Sequence, residues 1–290
     1  MKQKQASAAA GEDKFIALNG LKFHYVAWGD PANPPLVCLH GLRSYGRTYE
    51  PLANALKDKF YVLALDQRGR GETDWDPQRG YYTDNYVADL ERLVDQLGFE
   101  RFHLLGHSMG GTNSLVYGQR HPDRLASMVL EDAGPGAWSH SGGAERINAE
   151  LRNTPLRFDN WDEARAFWRS IRPNVTEQAI ESRVANSLQR GPDGITWKHD
   201  QAGIAACRLQ PDPLREAPDL WPCVEAVRWP TLLVRGATSD YLSAATYAQM
   251  LASNPQLTGV EVPGAGHYVH DDQPQAFVAA VRDFLGARIG

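Results

Sequence analysis

Short apolar runs alternate with helix-forming stretches along most of this 290-residue chain, and this alternation restricts the fold more than any other feature. The runs that predict buried strands are residues 36–39, 61–65, 102–105, 127–130, 231–234 and 259–262. Because these runs have no polar face, they favour a mostly parallel sheet covered by helices on both sides. Two earlier runs flank Asn19-Gly20, a strong two-residue hairpin signal. The chain is therefore predicted to form a doubly wound α/β fold whose first strands are antiparallel.

A long middle segment, residues 137–228, interrupts this alternation. It lacks buried-strand runs, is rich in helical stretches and contains five of the eight tryptophans. We interpret this segment, called the cap below, as a helical insertion over the strand ends at which open α/β sheets bind ligands. The cap divides one core domain into residues 14–136 and 229–290. Residues 1–13 are polar and Ala-rich, and we expect them to form a flexible tail.

The composition is that of an ordinary globular protein, with 42% hydrophobic and 22% charged residues and a net charge of -5. No cluster of Lys and Arg indicates a polyanion partner, so we expect no nucleic-acid binding. No stretch is long and apolar enough to span a bilayer, and residues 1–13 lack the apolar core of a secretory signal, so we expect no membrane association. The three cysteines have no metal-binding spacing and fit free thiols in a reducing, cytoplasmic compartment.

The segment Gly-His-Ser-Met-Gly-Gly, residues 106–111, lies between an apolar run and a helix-compatible run. A serine between glycines at a strand-to-helix turn is typical of a nucleophile exposed on a strained turn. We expect Gly106 and Gly110 to avoid the side-chain collisions that so sharp a turn would otherwise cause. The unpaired N–H groups at the start of the following helix can bind an anion. The pattern therefore predicts that Ser108 is a nucleophile.

A serine hydroxyl needs a base to remove its proton and an acid to orient that base. Asp240 and His267 can supply these groups, because each follows an apolar run in a loop at a strand's carboxyl end. Two alternatives remain open, since His270 lies three residues beyond His267, and Asp132 follows the strand after the nucleophile's helix. We favour His267 as the base and Asp240 as the acid, with Asp132 a polar residue at the hinge of the cap.

Acyl transfer also requires fixed donors for the oxyanion that forms on the attacked carbonyl. We expect these donors to be the backbone N–H of Met109, directly after the nucleophile, and that of Leu42, in the loop after the third strand. Arg43 follows in the same loop and could contact a substrate carboxylate or lie at the surface. Most cap tryptophans are expected to form the cap's own core, and we place Trp138 and Trp168 at the ligand.

Five segments in sequence order resemble the motifs of capped, single-domain α/β-hydrolases. They are His40-Gly41, residues 66–71 (Asp-Gln-Arg-Gly-Arg-Gly), 106–111, 236–240 and 264–267. The resemblance implies an eight-stranded sheet with an antiparallel second strand, and a structural turn at residues 66–71 beside the active site. Epoxide hydrolases and haloalkane dehalogenases of this fold carry aspartate where this chain has Ser108. Ring-fission carbon–carbon hydrolases usually carry Gly-Pro-Gly after the His-Gly, where this chain has Leu-Arg-Ser-Tyr.

The sequence therefore predicts a serine hydrolase that cleaves a small carboxylic ester, or a lactone or amide, through an acyl-enzyme, with Ser108, His267 and Asp240 as its triad. No metal or organic cofactor is expected. The Trp-rich cap favours a small-molecule substrate with an apolar or aromatic group, and the oligomeric state is left open. Carbon–carbon cleavage on the same triad and a hydrolase-like ligand receptor with slow turnover are the alternatives, because fold alone does not fix function.

Overall fold

The structure is a computed structural model that describes residues 11–138, 141–173, 175–215 and 217–288. Within these ranges the strands are β1 (Glu12–Leu18), β2 (Leu21–Trp28), β3 (Pro35–Leu39), β4 (Tyr61–Leu65), β5 (Phe102–His107), β6 (Leu125–Glu131), β7 (Arg157–Phe158), β8 (Leu188–Gly191), β9 (Gly194–Trp197), β10 (Thr231–Gly236) and β11 (Leu257–Val262). The α-helices are α1 (Glu50–Leu56), α2 (Thr83–Gln96), α3 (Met109–Arg120), α4 (Gly142–Asn153), α5 (Trp161–Ile171), α6 (Glu177–Ser187), α7 (Gln201–Leu209), α8 (Trp221–Glu225), α9 (Ala244–Ser253), α10 (Val269–Asp272) and α11 (Pro274–Gly286). Two short 3₁₀ helices, Gly46–Tyr49 and Pro122–Arg124, precede α1 and β6.

Eight strands form one sheet in the order β1-β2-β4-β3-β5-β6-β10-β11. The pairs β1/β2 and β2/β4 are antiparallel, and every other neighbouring pair is parallel. The β1–β2 turn has positive φ at both Asn19 (49°) and Gly20 (83°), the backbone that an Asn-Gly hairpin adopts. The predicted doubly wound α/β fold, with a mostly parallel eight-stranded sheet, is confirmed.

The sheet is buried on both faces, which explains why its strands read as unbroken apolar runs. Helices α2, α3, α8 and α9 pack on one face, where alternate strand residues such as Leu63 and Leu104 point. Helices α1 and α11 pack on the other face, against Val62 and Leu105. Successive strand residues therefore belong to two separate hydrophobic clusters, one on each face of the sheet. Close packing in both clusters holds the strand ends rigidly.

The cap differs in two respects from the all-helical insertion that was predicted. It contains a small antiparallel sheet, β7-β9-β8, whose strands of two to four residues are too short and too polar to give a strand pattern. Its last helix, α8, packs with α3 on the main core through Cys223 and Val224. The segment from α8 onward therefore belongs structurally to the core, because its apolar face is buried there.

The predicted N-terminal tail is too long. Residues 1–10 lie outside the described residues, but Glu12 and Asp13 belong to β1 and pair with Ala27 and Val26. An edge strand can expose one face and one edge to water, so its polar composition did not distinguish it from a tail. Among the described helices, none combines the length and the apolar character needed to cross a membrane.

Candidate active site

Ser108 occupies the turn between β5 and α3, with φ 53° and ψ -117°. This strained backbone is the conformation expected of a nucleophile between a strand and a helix. A Cβ on Gly106 would lie 2.4 Å from the carbonyl oxygen of Gly110, and a Cβ on Gly110 would lie 2.1 Å from that of Leu39. Only glycine fits at these two positions, as the sequence predicted.

His267 is the histidine that contacts Ser108. Its Nε2 atom lies 2.9 Å from the Ser108 Oγ atom, and its ring is almost completely buried. The alternative base, His270, is engaged elsewhere, because its Nδ1 atom bonds Glu131 at 2.7 Å and its Nε2 atom bonds Thr48 at 3.0 Å. The loop after β11 thus brings His267, and not His270, to the serine.

The carboxylate beside His267 belongs to Asp132, which directly follows β6. Its Oδ2 atom lies 2.7 Å from the Nδ1 atom of His267. It also accepts hydrogen bonds from the Ser239 hydroxyl at 2.6 Å and from the Gly236 N–H at 3.3 Å, and it is fully buried. The predicted placement of Asp240 against the histidine is wrong, and the alternative left open by the sequence, Asp132, occupies that position.

Asp240 lies instead at the boundary between the core and the cap. Its Oδ2 atom accepts from Arg146 Nε at 2.7 Å and its Oδ1 atom from Arg146 Nη2 at 2.9 Å, while its side chain is 42% exposed. Both aspartates follow parallel strands whose carboxyl ends share one edge of the sheet. However, β6 is the direct neighbour of β5, which leads into Ser108, whereas Asp240 lies on a loop four residues beyond β10.

Burial governs the protonation of this hydrogen-bonded chain. It raises the pKa of Asp132, because the charged carboxylate is removed from water, while the hydrogen bonds that it accepts lower the pKa. Burial also lowers the pKa of His267 well below its usual value, and the nearby Arg146 charge adds to this effect. His267 is therefore neutral at neutral pH, with Nδ1 assigned as the donor to Asp132 and Nε2 as the acceptor from Ser108. This is the state that a general base requires.

The loop that contains Leu42 passes directly against the nucleophile. A Cβ on Gly41 would lie 3.4 Å from the Ser108 Cβ atom. Met109 begins α3, so its N–H has no acceptor within the helix. Both residues predicted to donate to an oxyanion thus lie beside Ser108, and their role in binding it remains a prediction.

A polar network that the sequence analysis did not single out fixes this loop. The Gln67 side chain donates to the His40 carbonyl oxygen at 2.6 Å, and the Gln67 N–H donates to the His40 ring at 3.1 Å. Asn113, on the nucleophile's helix, donates to the Gln67 side chain at 2.9 Å. The side chains of Gln67 and Asn113 therefore link α3 to the loop before Leu42. Gln67 lies within the motif at residues 66–71, and Asn113 lies two residues beyond the motif at residues 106–111.

Tyr241 is a second residue that the analysis missed. Its ring stacks on that of His267 with centroids 4.1 Å apart, and it is buried. Burial raises the pKa of Tyr241 to about 12, although the adjacent Ser108 hydroxyl has a lowering effect. The phenol is therefore neutral and contributes an apolar wall to the base. Its position directly after Asp240 was the available signal.

A cavity of about 1030 Å³ has walls that include Leu42, Met109 and Trp138, and Met109 directly follows Ser108. Trp138 therefore lies where the sequence analysis placed it, on the wall of the ligand cavity. Trp168 does not, because it is fully buried in the cap's own aromatic cluster with Trp197 and Phe158. Helix α5 turns its apolar stripe toward the small sheet of the cap and away from the cavity.

Arg43 occupies neither of the two places considered for it. Its guanidinium is buried, pairs with Glu150 of α4, and donates to the Thr154 hydroxyl at 2.7 Å. Because the cap supplies this carboxylate, Arg43 ties the loop after β3 to the cap and is not among the residues that line the cavity.

Three buried side chains behind the triad, those of His107, Glu131 and His270, bring potential metal-binding atoms within 4.8 Å of one another. Several of these potential ligand atoms already form hydrogen bonds with other protein atoms. His270 donates through its backbone N–H to Glu131 at 2.9 Å, and the His107 ring bonds the His267 carbonyl oxygen at 2.9 Å. We interpret the cluster as a support for the loop that carries His267.

Comparisons with known proteins agree with this geometry. A family model described as the alpha/beta hydrolase fold matches residues 34–274. A 3-hydroxybutyrate-oligomer hydrolase from Cupriavidus necator is 33% identical over 97% of this chain and 99% of its own length. A 2-(acetamidomethylene)succinate hydrolase from Mesorhizobium japonicum is 31% identical over 88% of this chain and 89% of its own length. The crystal structure of an E-2-(acetamidomethylene)succinate hydrolase matches with a TM-score of 0.85 and 28% identity, covering 96% of this chain and all of that one.

Proposed function

Because the chain belongs to the α/β-hydrolase fold family, we propose that it is a serine hydrolase that cleaves a small carboxylic ester, or a lactone or amide. The observation that carries the proposal is the continuous hydrogen-bonded chain from Ser108 through His267 to Asp132. The relatives described above are hydrolases of 3-hydroxybutyrate oligomers and of 2-(acetamidomethylene)succinate, which fits hydrolysis of a small organic compound.

In the proposed mechanism, the Ser108 oxygen attacks the substrate carbonyl as the His267 Nε2 atom accepts its proton. Asp132 holds the imidazole through Nδ1 and stabilises the imidazolium while it exists. The N–H groups of Leu42 and Met109 bind the oxyanion of the tetrahedral intermediate. His267 then protonates the leaving group, which departs and leaves an acyl-enzyme.

The second half of the reaction repeats these steps with water as the nucleophile. His267 removes a proton from water, water attacks the acyl carbonyl, and the same donors bind the second oxyanion. Collapse of this intermediate returns the proton to the Ser108 oxygen and releases the acid. Every proton in the proposed cycle is carried by His267, so no external acid or base is required.

The proposal is tested first by covalent labelling. A fluorophosphonate probe is expected to label the wild-type chain at one serine and to leave Ser108→Ala unlabelled, with mass spectrometry of the peptide identifying the site. Ser44→Ala provides a control serine in the same region and is expected to label like the wild type. Labelling that persists in Ser108→Ala would exclude Ser108 as the nucleophile.

A substrate panel then separates ester hydrolysis from the alternative chemistry. The panel comprises chromogenic esters of increasing acyl length, a lactone, an aryl amide and a ring-fission dienone. Turnover of esters with burst release of the alcohol supports an acyl-enzyme. Cleavage of the dienone with no ester turnover would replace ester hydrolysis by carbon–carbon hydrolysis. Labelling with less than one turnover per enzyme would instead favour a ligand receptor.

A further inference from the structure

The cavity is lined by two buried or half-buried arginines that no described acidic side chain neutralises, while a third arginine without such a partner, Arg215, is exposed and donates to Asn85 at 2.9 Å. Arg70 and Arg208 both line the cavity, and neither has a carboxylate oxygen within 4.0 Å in the part of the chain that the structure describes. Arg70 is fully buried and Arg208 is half-buried. The other buried arginines each pair with an acid: Arg43 and Arg172 with Glu150, Arg68 with Asp89, Arg183 with Asp271, and Arg235 with Glu261. The cavity therefore differs from the rest of the described interior, because only Arg120 among its four arginines has an acidic partner.

Arg208 presents the more accessible of the two charges. Its Nε atom donates to Asn148 at 2.9 Å, its Nη2 atom donates to the Trp138 carbonyl oxygen at 2.6 Å, and its guanidinium lies 3.6 Å from the centroid of the Trp138 ring. Its Nη1 atom donates to no residue that the structure describes. Its neighbours Ala205 and Leu209 pack against the hydrophobic cluster that contains Tyr241, whose ring stacks on that of His267. A free donor thus lies in the cavity near the reaction centre.

Arg70 is fully buried behind both proposed oxyanion donors. Its Nε atom donates to the Leu42 carbonyl oxygen at 3.1 Å, and its Nη2 atom has only a 3.8 Å contact with the Met109 sulfur. Its Nη1 atom donates to the Arg68 carbonyl oxygen at 2.8 Å and to the Tyr86 hydroxyl. Arg70 therefore fixes the wall beside Ser108 and adds positive potential there, while its hydrogen bonds are already committed to protein atoms.

Acidic residues on the cavity wall do not balance these charges. Asp84 pairs with Arg120 at the exposed mouth. Asp212 also lies at the outer end, where its backbone N–H meets the Tyr82 hydroxyl at 3.4 Å. A half-buried cation such as Arg208 is only partly hydrated, and a ligand that brings an anion supplies the counter-charge that the protein does not. A planar carboxylate matches the paired donors of a guanidinium.

We propose that the substrate is the ester or amide of a compound that carries a separate carboxylate, and that Arg208 binds this carboxylate while the scissile carbonyl lies at Ser108. The proposal rests on the function proposed above and adds a substrate class to it. The apolar part of the substrate lies against Trp138, Met109 and Ile204, which form one hydrophobic cluster and line the cavity together with Arg208. Arg208 is a specificity-determining residue, and Arg70 is a positioning residue.

Binding to a catalytically inactive chain tests the carboxylate site independently of turnover. Monomethyl glutarate and dimethyl glutarate differ by one negative charge and are titrated calorimetrically into Ser108→Ala. The monoester is expected to bind at least 10-fold more tightly, because a hydrogen bond to a charged group contributes roughly 10- to 100-fold in affinity. The preference is expected to disappear when Arg208→Gln is added and to return partly with Arg208→Lys. Equal binding of the two esters to Ser108→Ala would overturn the proposal.

Turnover of the same two esters by the otherwise wild-type chain provides the second measurement. Arg208→Gln is expected to lower kcat/KM for the monoester at least 10-fold more than for the diester, mainly through KM. Arg120→Gln removes an arginine that already has an acidic partner, and it is expected to leave the ratio of the two esters unchanged. An equal loss on both esters would show that Arg208 acts only on folding. Selective binding of the monoester without any turnover would support the carboxylate site and contradict the proposed hydrolase function.

Discussion

At the scale of single residues, the acid of the triad directly follows a strand. Asp132 has a positive φ of 47°, uncommon for a residue other than glycine, and its carboxylate accepts from His267, Ser239 and the Gly236 N–H. Asp240 makes an exposed, two-bonded ion pair with Arg146. The two carboxylates therefore differ in burial, partners and distance from the base, and substitution should distinguish them.

Asp132→Asn is expected to lower kcat by about 10³- to 10⁴-fold, because the amide cannot hold the imidazole in the correct tautomer or stabilise its charged form. Asp240→Asn is the matched substitution and breaks only an exposed ion pair, so kcat should fall less than about 10-fold and stability should change by about 1 kcal/mol or less. Steady-state kinetics on an ester identified by the panel provide the measurement. Comparable losses in the two variants would remove Asp132 from its proposed role.

The residues that could be assigned from sequence were those that a local motif constrains. The motif around Ser108 predicted the strained turn that the structure shows, and the Gly-rich loop after an apolar run predicted that His267 would contact this serine. The acid could not be assigned in the same way, because Asp132 and Asp240 both follow parallel strands. Their difference depends on the lateral order of β5, β6 and β10, which is a property of the folded sheet.

At the scale of elements, α3 approaches β3 so closely that glycine is required at the contact. Gly110 is in the first turn of α3, and a Cβ there would meet the Leu39 carbonyl oxygen at 2.1 Å. The helix cannot move away without displacing Ser108 and Met109, which precede this residue. Stability and catalysis therefore depend on the same contact.

Gly110→Ala is expected to destabilise the fold by about 1–3 kcal/mol, because the new methyl group forces the helix away from the strand. It should also lower kcat, since the nucleophile moves with the helix. Gly286→Ala is the control, because Gly286 ends α11 with open space around it and alanine favours helices. Urea unfolding and ester kinetics measure the two effects. A neutral Gly110→Ala would contradict the tight packing.

The elements that could be predicted were the long and strongly apolar ones. The buried strands and the hairpin were recognisable because their patterns are local. The small sheet of the cap was missed, because β7 has only two residues and pairs with β9, a strand that lies far along the sequence. The helix α8 was assigned to the cap because sequence order does not reveal which hydrophobic cluster a short helix joins.

At the scale of the whole molecule, one buried carboxylate connects the cap to the core. Glu150 of α4 pairs with Arg172 in the cap and with Arg43 in the core. Arg172 in turn donates to the Tyr268 hydroxyl at 2.5 Å, directly after the base His267. The cap is therefore fastened over the triad by charges that are largely removed from water.

Glu150→Gln is expected to destabilise the protein by about 3–5 kcal/mol at neutral pH, because two buried arginines lose their counter-charge. Burial raises the pKa of Glu150, but the charges of Arg172 and Arg43 together lower the pKa to about 2. Since the folded pKa is below the unfolded one, this stabilisation is complete above the usual pKa of glutamate and is lost as pH falls toward 2.

The pH dependence of unfolding provides the check. The difference in unfolding free energy between wild type and Glu150→Gln should be constant near neutral pH and should shrink as pH falls below about 4.5. Glu163→Gln, on the exposed side of α5, is the control and should show no comparable change. A difference that does not depend on pH would show that Glu150 acts through its shape and not through its charge.

The ion pair between Arg43 and Glu150 limits how the cap can move relative to the core. Arg43 directly follows Leu42, so the cap holds the loop that contains one of the two proposed oxyanion donors. If the cap lifts to admit or release a small molecule, we expect it to pull on that loop and to displace Leu42, one of the two proposed oxyanion donors. A molecule with its cap open is therefore expected to be inactive until the cap closes again.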